Sequence, residues 1–318
     1  VRVKPKNLAE FETGRASRRL IAIRLLPAAA TLGNLLCGFA ALFCCLLSVR
    51  AEYAETGFNV QPRVLFSRLE SVFPTHIAAG AYLIVLAMVF DALDGRLARM
   101  TRRTSEFGAQ LDSLSDVVSF GVAPAALFVT LMMRPAPGTN IPDVSHVAFR
   151  IGMVCALVYL SCAAIRLARY NVENVQSPGG KRAFSGLPSP GAAAAVVSLL
   201  ALHEHLRYLE TRWLGVDWVD VLRWLIAITA FATGLLMVSR LDYVHVLNVY
   251  IRRRRPPTHL VWLVVILGLA WYSFELLFVV LALGYVLSGI VPVLLRRARP
   301  KPAPVSAEGN GQTRARGE

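Results

Sequence analysis

Residues 91–116 read DALDGRLARMTRRTSEFGAQLDSLSD, set between the apolar runs AAGAYLIVLAMVF at 78–90 and VVSFGVAPAALFVTLMM at 117–133. Four carboxylates, Asp91, Asp94, Asp112 and Asp116, interrupt segments that are otherwise hydrophobic. One acid near the end of a membrane helix reaches water and needs no further account. Four at these spacings point to a functional site, because a carboxylate inside a span is costly. Asp91 and Asp94 are three apart and Asp112 and Asp116 four apart, so each pair shares a helix face. The pairs close one span and open the next across a short basic turn, Arg99 to Glu106. Antiparallel packing is therefore expected to gather all four in one pocket at one side of the membrane. Gly95 and Ala98 on the first helix, with Gly108 and Ala109 on the second, are expected to allow close backbone approach.

The rest of the chain supports a membrane setting. Of its 318 residues 55% are hydrophobic and 17% charged, and the mean hydropathy is +0.52. A soluble domain is less apolar and more charged than this. A spanning helix needs about 20 mostly apolar residues. Eight such segments are read, at 27–48, 77–95, 108–133, 147–168, 188–203, 222–239, 258–273 and 276–295, the last two split only at Ser273–Phe274–Glu275. The fold class is thus all-α, a polytopic transmembrane bundle. No internal repeat is present.

Net charge is +14. The basic residues are interleaved with the spans, which favours a topological origin over nucleic-acid binding. With the N-terminus in the cytoplasm, most of the 34 Lys and Arg residues fall on the cytoplasmic side. That sorting predicts an N-in, C-in arrangement with an even number of spans. The expected organisation is a basic N-terminal segment at 1–26, a membrane core at 27–239, a basic loop at 240–257, a transmembrane hairpin at 258–295 and a disordered cytoplasmic tail at 296–318. Residues 49–76 and 204–221 read as external loops or interfacial helices, and Arg252–Arg255 as a solvated loop near anionic headgroups. No short apolar segment with a small-residue cleavage site precedes the first span, so a cleaved leader is not expected.

Four clustered carboxylates repel one another unless they share protons or cations. Oxygen-only ligands suit Mg²⁺, Mn²⁺ or Ca²⁺ better than zinc. Such an ion can bridge phosphate oxygens as a phosphate ester breaks. Arg96 and Arg99 beside the pocket suit phosphate oxygens, whereas Arg102 and Arg103 read as ordinary flanking charge.

These residues form the gapless pattern D-x2-D-G-x2-A-R-x8-G-x3-D-x3-D, as Asp91, Asp94, Gly95, Ala98, Arg99, Gly108, Asp112 and Asp116. The pattern resembles the signature of the CDP-alcohol phosphotransferase (phosphatidyltransferase) family. More of the chain is similar to one branch, the bacterial-type phosphatidylserine synthases. The similar stretches are Leu111 to Pro124, Arg166 to Asn171, Gly186–Leu187–Pro188, and Thr31 to Asn34 with Cys37–Gly38. The resemblance implies a six-helix catalytic core, with about two further spans, in a bacterial inner membrane with its site facing the cytoplasm. It implies transfer of the phosphatidyl group of CDP-diacylglycerol to the hydroxyl of L-serine, with CMP released, in phospholipid biosynthesis. It also implies a divalent cation, Mg²⁺ or Mn²⁺ and two ions, held by Asp91, Asp94, Asp112 and Asp116, with Asp116 as general base. Gly95, Ala98, Arg99 and Gly108 would shape the nucleotide pocket, and a homodimer is implied. Spacing alone does not say which carboxylate is the base.

Other residues are weaker candidates. Arg166 and Arg169 share a face at the end of a span and suit the diphosphate, the lipid phosphate or the serine carboxylate; positive-inside anchoring is the plain alternative. Lys181 and Arg182 in the following loop are secondary candidates for the same groups. Thr31 and Asn34 are candidate nucleotide contacts, although threonine often bonds its own helix. The six histidines form no hydrolytic triad. The five cysteines lie in apolar segments without metal-type spacing and read as packing residues. Trp213, Trp218, Trp262 and Trp271 read as interface anchors. Two rivals are kept: another acceptor alcohol, such as glycerol 3-phosphate, and a transporter using intramembrane acids. A transporter would place its acids near mid-span along a path, not at one side beside a basic turn.

Overall fold

In lipid every backbone polar group must be satisfied within the chain, which leaves helices as the solution for apolar runs of this length. The computed structural model describes residues 7–54, 73, 75–101, 106–134, 147–176, 186–209, 218–241 and 273–298, and all regular structure among them is helical. In order these are α1 (Asn7–Ala54), α2 (His76–Thr101), α3 (Glu106–Asp116), a π-helix (Val117–Val122), α4 (Ala123–Met132), α5 (Val147–Gln176), α6 (Ser189–Tyr208), α7 (Trp218–Val238) and α8 (Phe274–Ala298). Among the described residues, six stretches are long and apolar enough to cross a bilayer: Pro27–Arg50, His76–Leu97, Phe107–Met132, Val147–Glu173, Asp220–Val238 and Phe274–Val291.

The expected span at 188–203 forms α6, which is buried almost all round and packs on α2, α4, α7 and α8. Its run of alanines explains the position. Ala192, Ala193 and Ala195 are fully buried, and small side chains let neighbouring backbones approach where no water drives association. The expected span at 258–273 (all but Ser273), Arg252–Arg255 and the tail from 301 lie outside the described residues, as do Trp213, Trp262 and Trp271. Trp218 sits partly exposed at the start of α7, as an interface anchor does. All five cysteines are free, with Cys37 and Cys45 buried in the core.

Several boundaries differ from expectation. α1 continues the first span in both directions, so much of the basic N-terminal segment is helical. α2 runs to Thr101, which places Arg99 in the helix and shortens the basic turn. α5 continues to Gln176, so Arg166 and Arg169 lie inside a helix and not at its end. The segment from 204, expected as an external loop or interfacial helix, begins as the last turn of α6, with Glu204 fully buried. Arg134 Nη1 donates to Glu204 Oε1 at 2.6 Å, Thr75 donates to Oε2 at 2.6 Å, and His203 Nδ1 lies 2.9 Å from Oε1. A fully paired carboxylate tolerates burial that an isolated one does not. Beside it, Tyr82 donates to Glu275 Oε1 at 2.7 Å and ties α8 to α2.

Where α6 begins, Gly186 adopts φ +94° and its N–H donates to the Leu241 carbonyl at 2.8 Å, while Leu187 N–H serves Leu236 at 3.0 Å. The Gly186–Leu187 segment thus satisfies carbonyls at and beyond the end of α7 that no later turn can reach. A Cβ at 186 would stand 2.4 Å from the Met237 carbonyl oxygen. Gly186→Ala therefore combines a disfavoured backbone with a backbone clash, and should cost about 1–3 kcal/mol. The readout is the thermal unfolding midpoint in detergent; an unchanged midpoint would contradict this account.

Candidate active site

The carboxylates come from α2 and from α3, the first half of the third long span. Side-chain oxygens of Asp91, Asp112 and Asp116 all lie within 4.8 Å of one another. Asp94 is buried next to Asp91 and Asp112 but stands outside that set of three. The helical periods do what the spacing requires, placing each pair on one face.

The packing that assembles them is not the one expected. α2 and α3 have almost no close backbone contact with each other, and both pack on α1 instead. Ser115 Oγ donates to the Thr31 carbonyl at 3.2 Å, and Ser119 Oγ to the Asn34 carbonyl at 2.9 Å. Gly38 makes the approach possible, since a Cβ there would meet Ser119 Oγ at 2.4 Å. The two acidic helices therefore share a common support in α1, and their carboxylates converge beside it. Gly95 borders open space: a Cβ added to it would meet nothing within 4 Å. Among the described residues this glycine is not used in helix–helix contact, contrary to expectation, and it leaves room where a ligand could lie close to the backbone.

The donor set fits a divalent cation. Three carboxylate oxygens converge, and Asp112 Oδ1 and Asp94 Oδ2 are buried with no hydrogen-bond partner among the described residues. Buried anionic oxygens without partners are costly, and a hard cation with oxygen ligands resolves the cost. The structure identifies one such acidic cluster among the described residues.

Neighbouring side chains orient the cluster. Asn34 is fully buried and its amide donates to Asp116 Oδ1 at 3.1 Å, so its contact is with a carboxylate of the cluster. Thr31 donates to the Pro27 carbonyl at 3.1 Å, the bond to its own helix that its residue type favours, and lies near Asp94. Arg166 reaches in from α5. Its Nη1 donates to Ser189 Oγ at 2.6 Å, and its charge lies beside Asp91 and Asp116. Arg169 pairs with Glu173 at 2.8 Å on a partly exposed face, where an ion pair contributes little. Both arginines border a small cleft that also touches Tyr170 and Met237. Ser113 Oγ lies 3.0 Å from Asn171 Oδ1, linking α3 to α5. Arg99 falls in the last turns of α2 and Gly108 in the first turn of α3; Lys181 and Arg182 lie outside the described residues.

Two features escape sequence reasoning. Ser189 holds Arg166, and its only signal is its place directly after Gly186–Leu187–Pro188. Tyr285 of α8 packs against Gly191 and lies near Arg166, so the helix beyond the core reaches the site's margin.

A model of the CDP-alcohol phosphatidyltransferase family matches residues 24–235. The chain is 29% identical over 228 residues to a CDP-diacylglycerol–serine O-phosphatidyltransferase of Mycobacterium leprae, covering 71% of this chain and 60% of that protein. It is 36% identical over 165 residues to the Helicobacter pylori protein of that name, covering 51% and 59% respectively. The Saccharomyces cerevisiae protein of that name is 37% identical over 131 residues, covering 40% and 42%. The matched stretch thus spans between 42% and 60% of these relatives' own length.

Proposed function

From its membership of the CDP-alcohol phosphatidyltransferase family, we propose that this membrane enzyme transfers the phosphatidyl group of CDP-diacylglycerol to L-serine. The observation that carries the reading is the convergence of Asp91, Asp112 and Asp116 within 4.8 Å inside an unbroken family motif. Serine as acceptor is supported by the names of the similar proteins.

In this reading the serine hydroxyl oxygen attacks the phosphorus that carries the diacylglycerol. The bond from that phosphorus to the bridging oxygen of the diphosphate breaks, and CMP leaves with the electron pair. An alcohol is a weak nucleophile until a base takes its proton; Asp116 accepts it. Asp91, Asp94 and Asp112, together with Asp116, would hold Mg²⁺ or Mn²⁺, two ions in all. Bound there, the cations would supply charge that neutralises the phosphate groups. Gly95 leaves room for the nucleotide, and Arg99 offers its charge to the phosphates. Arg166, fixed by Ser189, directs positive charge at the centre where the acceptor or lipid phosphate lies. The site faces the cytoplasm of an inner membrane, and the enzyme works as a homodimer.

The test is CMP release from CDP-diacylglycerol by the purified full chain, offered serine, glycerol 3-phosphate, inositol phosphate or choline in turn. Turnover with serine alone, lost in excess chelator and restored by Mg²⁺ or Mn²⁺, is the expected result. Turnover with glycerol 3-phosphate and none with serine would refute the acceptor. Activity persisting in chelator would refute the metal role, and ion flux in liposomes without CMP release would favour the transporter.

A further inference from the structure

The third long span leaves the α-helical path immediately after Asp116. Val117–Val122 form a π-helix, and the Ala123 N–H bonds back to the Val118 carbonyl, five residues earlier. Pro124 supplies a cause. In a continuous α-helix the Phe120 carbonyl would receive the N–H of residue 124, but proline has none and its ring crowds that same carbonyl. Widening the turn relieves the clash at the Phe120 oxygen.

A side-chain donor to that same oxygen comes from a different helix. Tyr159 of α5 donates its hydroxyl to the Phe120 carbonyl at 2.7 Å. Both residues are essentially inaccessible, at 1% and 0% exposure, so no water can substitute. α7 braces α5 at this level, where a Cβ on Gly234 would lie 3.1 Å from the Tyr159 Cα.

The consequence falls on the carboxylates. One extra residue in a turn rotates the preceding helix by about 100° relative to an all-α continuation. α4 is anchored in the core by Leu127, Phe128 and Leu131, all fully buried. The π turn therefore sets which face of α3 meets α1 and which turns toward α2. In the observed register Ser115 and Ser119 bond α1, and Asp112 and Asp116 meet Asp91.

We propose that Tyr159 is a positioning residue: its hydroxyl latches the π turn and so holds Asp112 and Asp116 in register with Asp91. The proposal rests on the reading of those carboxylates as a divalent-cation site. Mn²⁺ binding to the purified full chain in nanodiscs, followed by loss of the free-ion magnetic resonance signal, tests it without relying on turnover. Tyr159→Phe keeps the ring and removes only the donor. It should weaken Mn²⁺ binding about tenfold to a hundredfold and lower kcat, with the KM for CDP-diacylglycerol within twofold of native. Adding Pro124→Ala returns an N–H to the Phe120 carbonyl. The double variant should recover thermal stability without recovering Mn²⁺ affinity, because the satisfied register is now α-helical. Native-like Mn²⁺ binding by Tyr159→Phe, or recovery of both properties in the double variant, would overturn the latch. If the native chain and Asp91→Asn bind Mn²⁺ alike, the cation reading falls first and the latch with it.

Discussion

Asp116→Asn is expected to lower kcat for CMP release by about 10²- to 10⁴-fold, the range for loss of a positioned general base. CDP-diacylglycerol binding should stay within a few-fold of native. The substitution is nearly isosteric, and the new amide oxygen can still accept the Asn34 amide that Asp116 Oδ1 accepts at 3.1 Å. The serine hydroxyls that bind α1 are untouched, so the helix register is kept. What is lost is an anionic oxygen able to take a proton and one of three converging ligands. Those two losses separate experimentally. At saturating Mg²⁺ a weakened ligand set recovers turnover, whereas a missing base does not. Turnover within threefold of native at saturating Mg²⁺ would refute the base role. Collapse of CDP-diacylglycerol binding would assign Asp116 to holding substrate instead.

Local periodicity makes the carboxylate faces legible in the amino-acid sequence, because three- and four-residue spacings fix a face on one helix whatever surrounds it. It does not supply the distance between helices. The expectation that α2 and α3 pack directly comes from their adjacency in the chain and from small residues near their ends. Both helices instead rest on α1, the third span doing so through Gly38 and two serine hydroxyls more than eighty residues away. Gly95 shows the same limit, since a glycine that admits a ligand and one that admits a helix look identical in sequence. The π turn spans six residues, too few for its period to stand out from that of an α-helix. Pro124 is the available hint, but naming Tyr159 as a donor to the Phe120 carbonyl requires knowing which helix lies opposite. Glu204 reads as part of an external loop or interfacial helix because an isolated carboxylate shuns the interior; its partner Arg134 is seventy positions earlier.

That buried pair carries the second large expectation. Arg134 and Glu204 have side-chain exposures of 7% and 0%, and Arg134→Met leaves the carboxylate enclosed with Thr75 and His203 but without its guanidinium. Removing one member of a buried pair costs about 3–5 kcal/mol, whereas replacing both by apolar groups of similar volume is often neutral or better. Arg134→Met should therefore markedly lower the unfolding midpoint in detergent, and Arg134→Met/Glu204→Leu should recover most of the loss. Activity per folded molecule should hardly change, since the pair joins the ends of α4 and α6 to the start of α2. From His76 to Asp91 is about 22 Å along that helix at 1.5 Å per residue. A midpoint unchanged in the single variant would show that the remaining partners suffice for Glu204. A lowered kcat in a fully folded double variant would mean that the two ends of the bundle are coupled, which the rigid packing of α6 between them would then have to transmit.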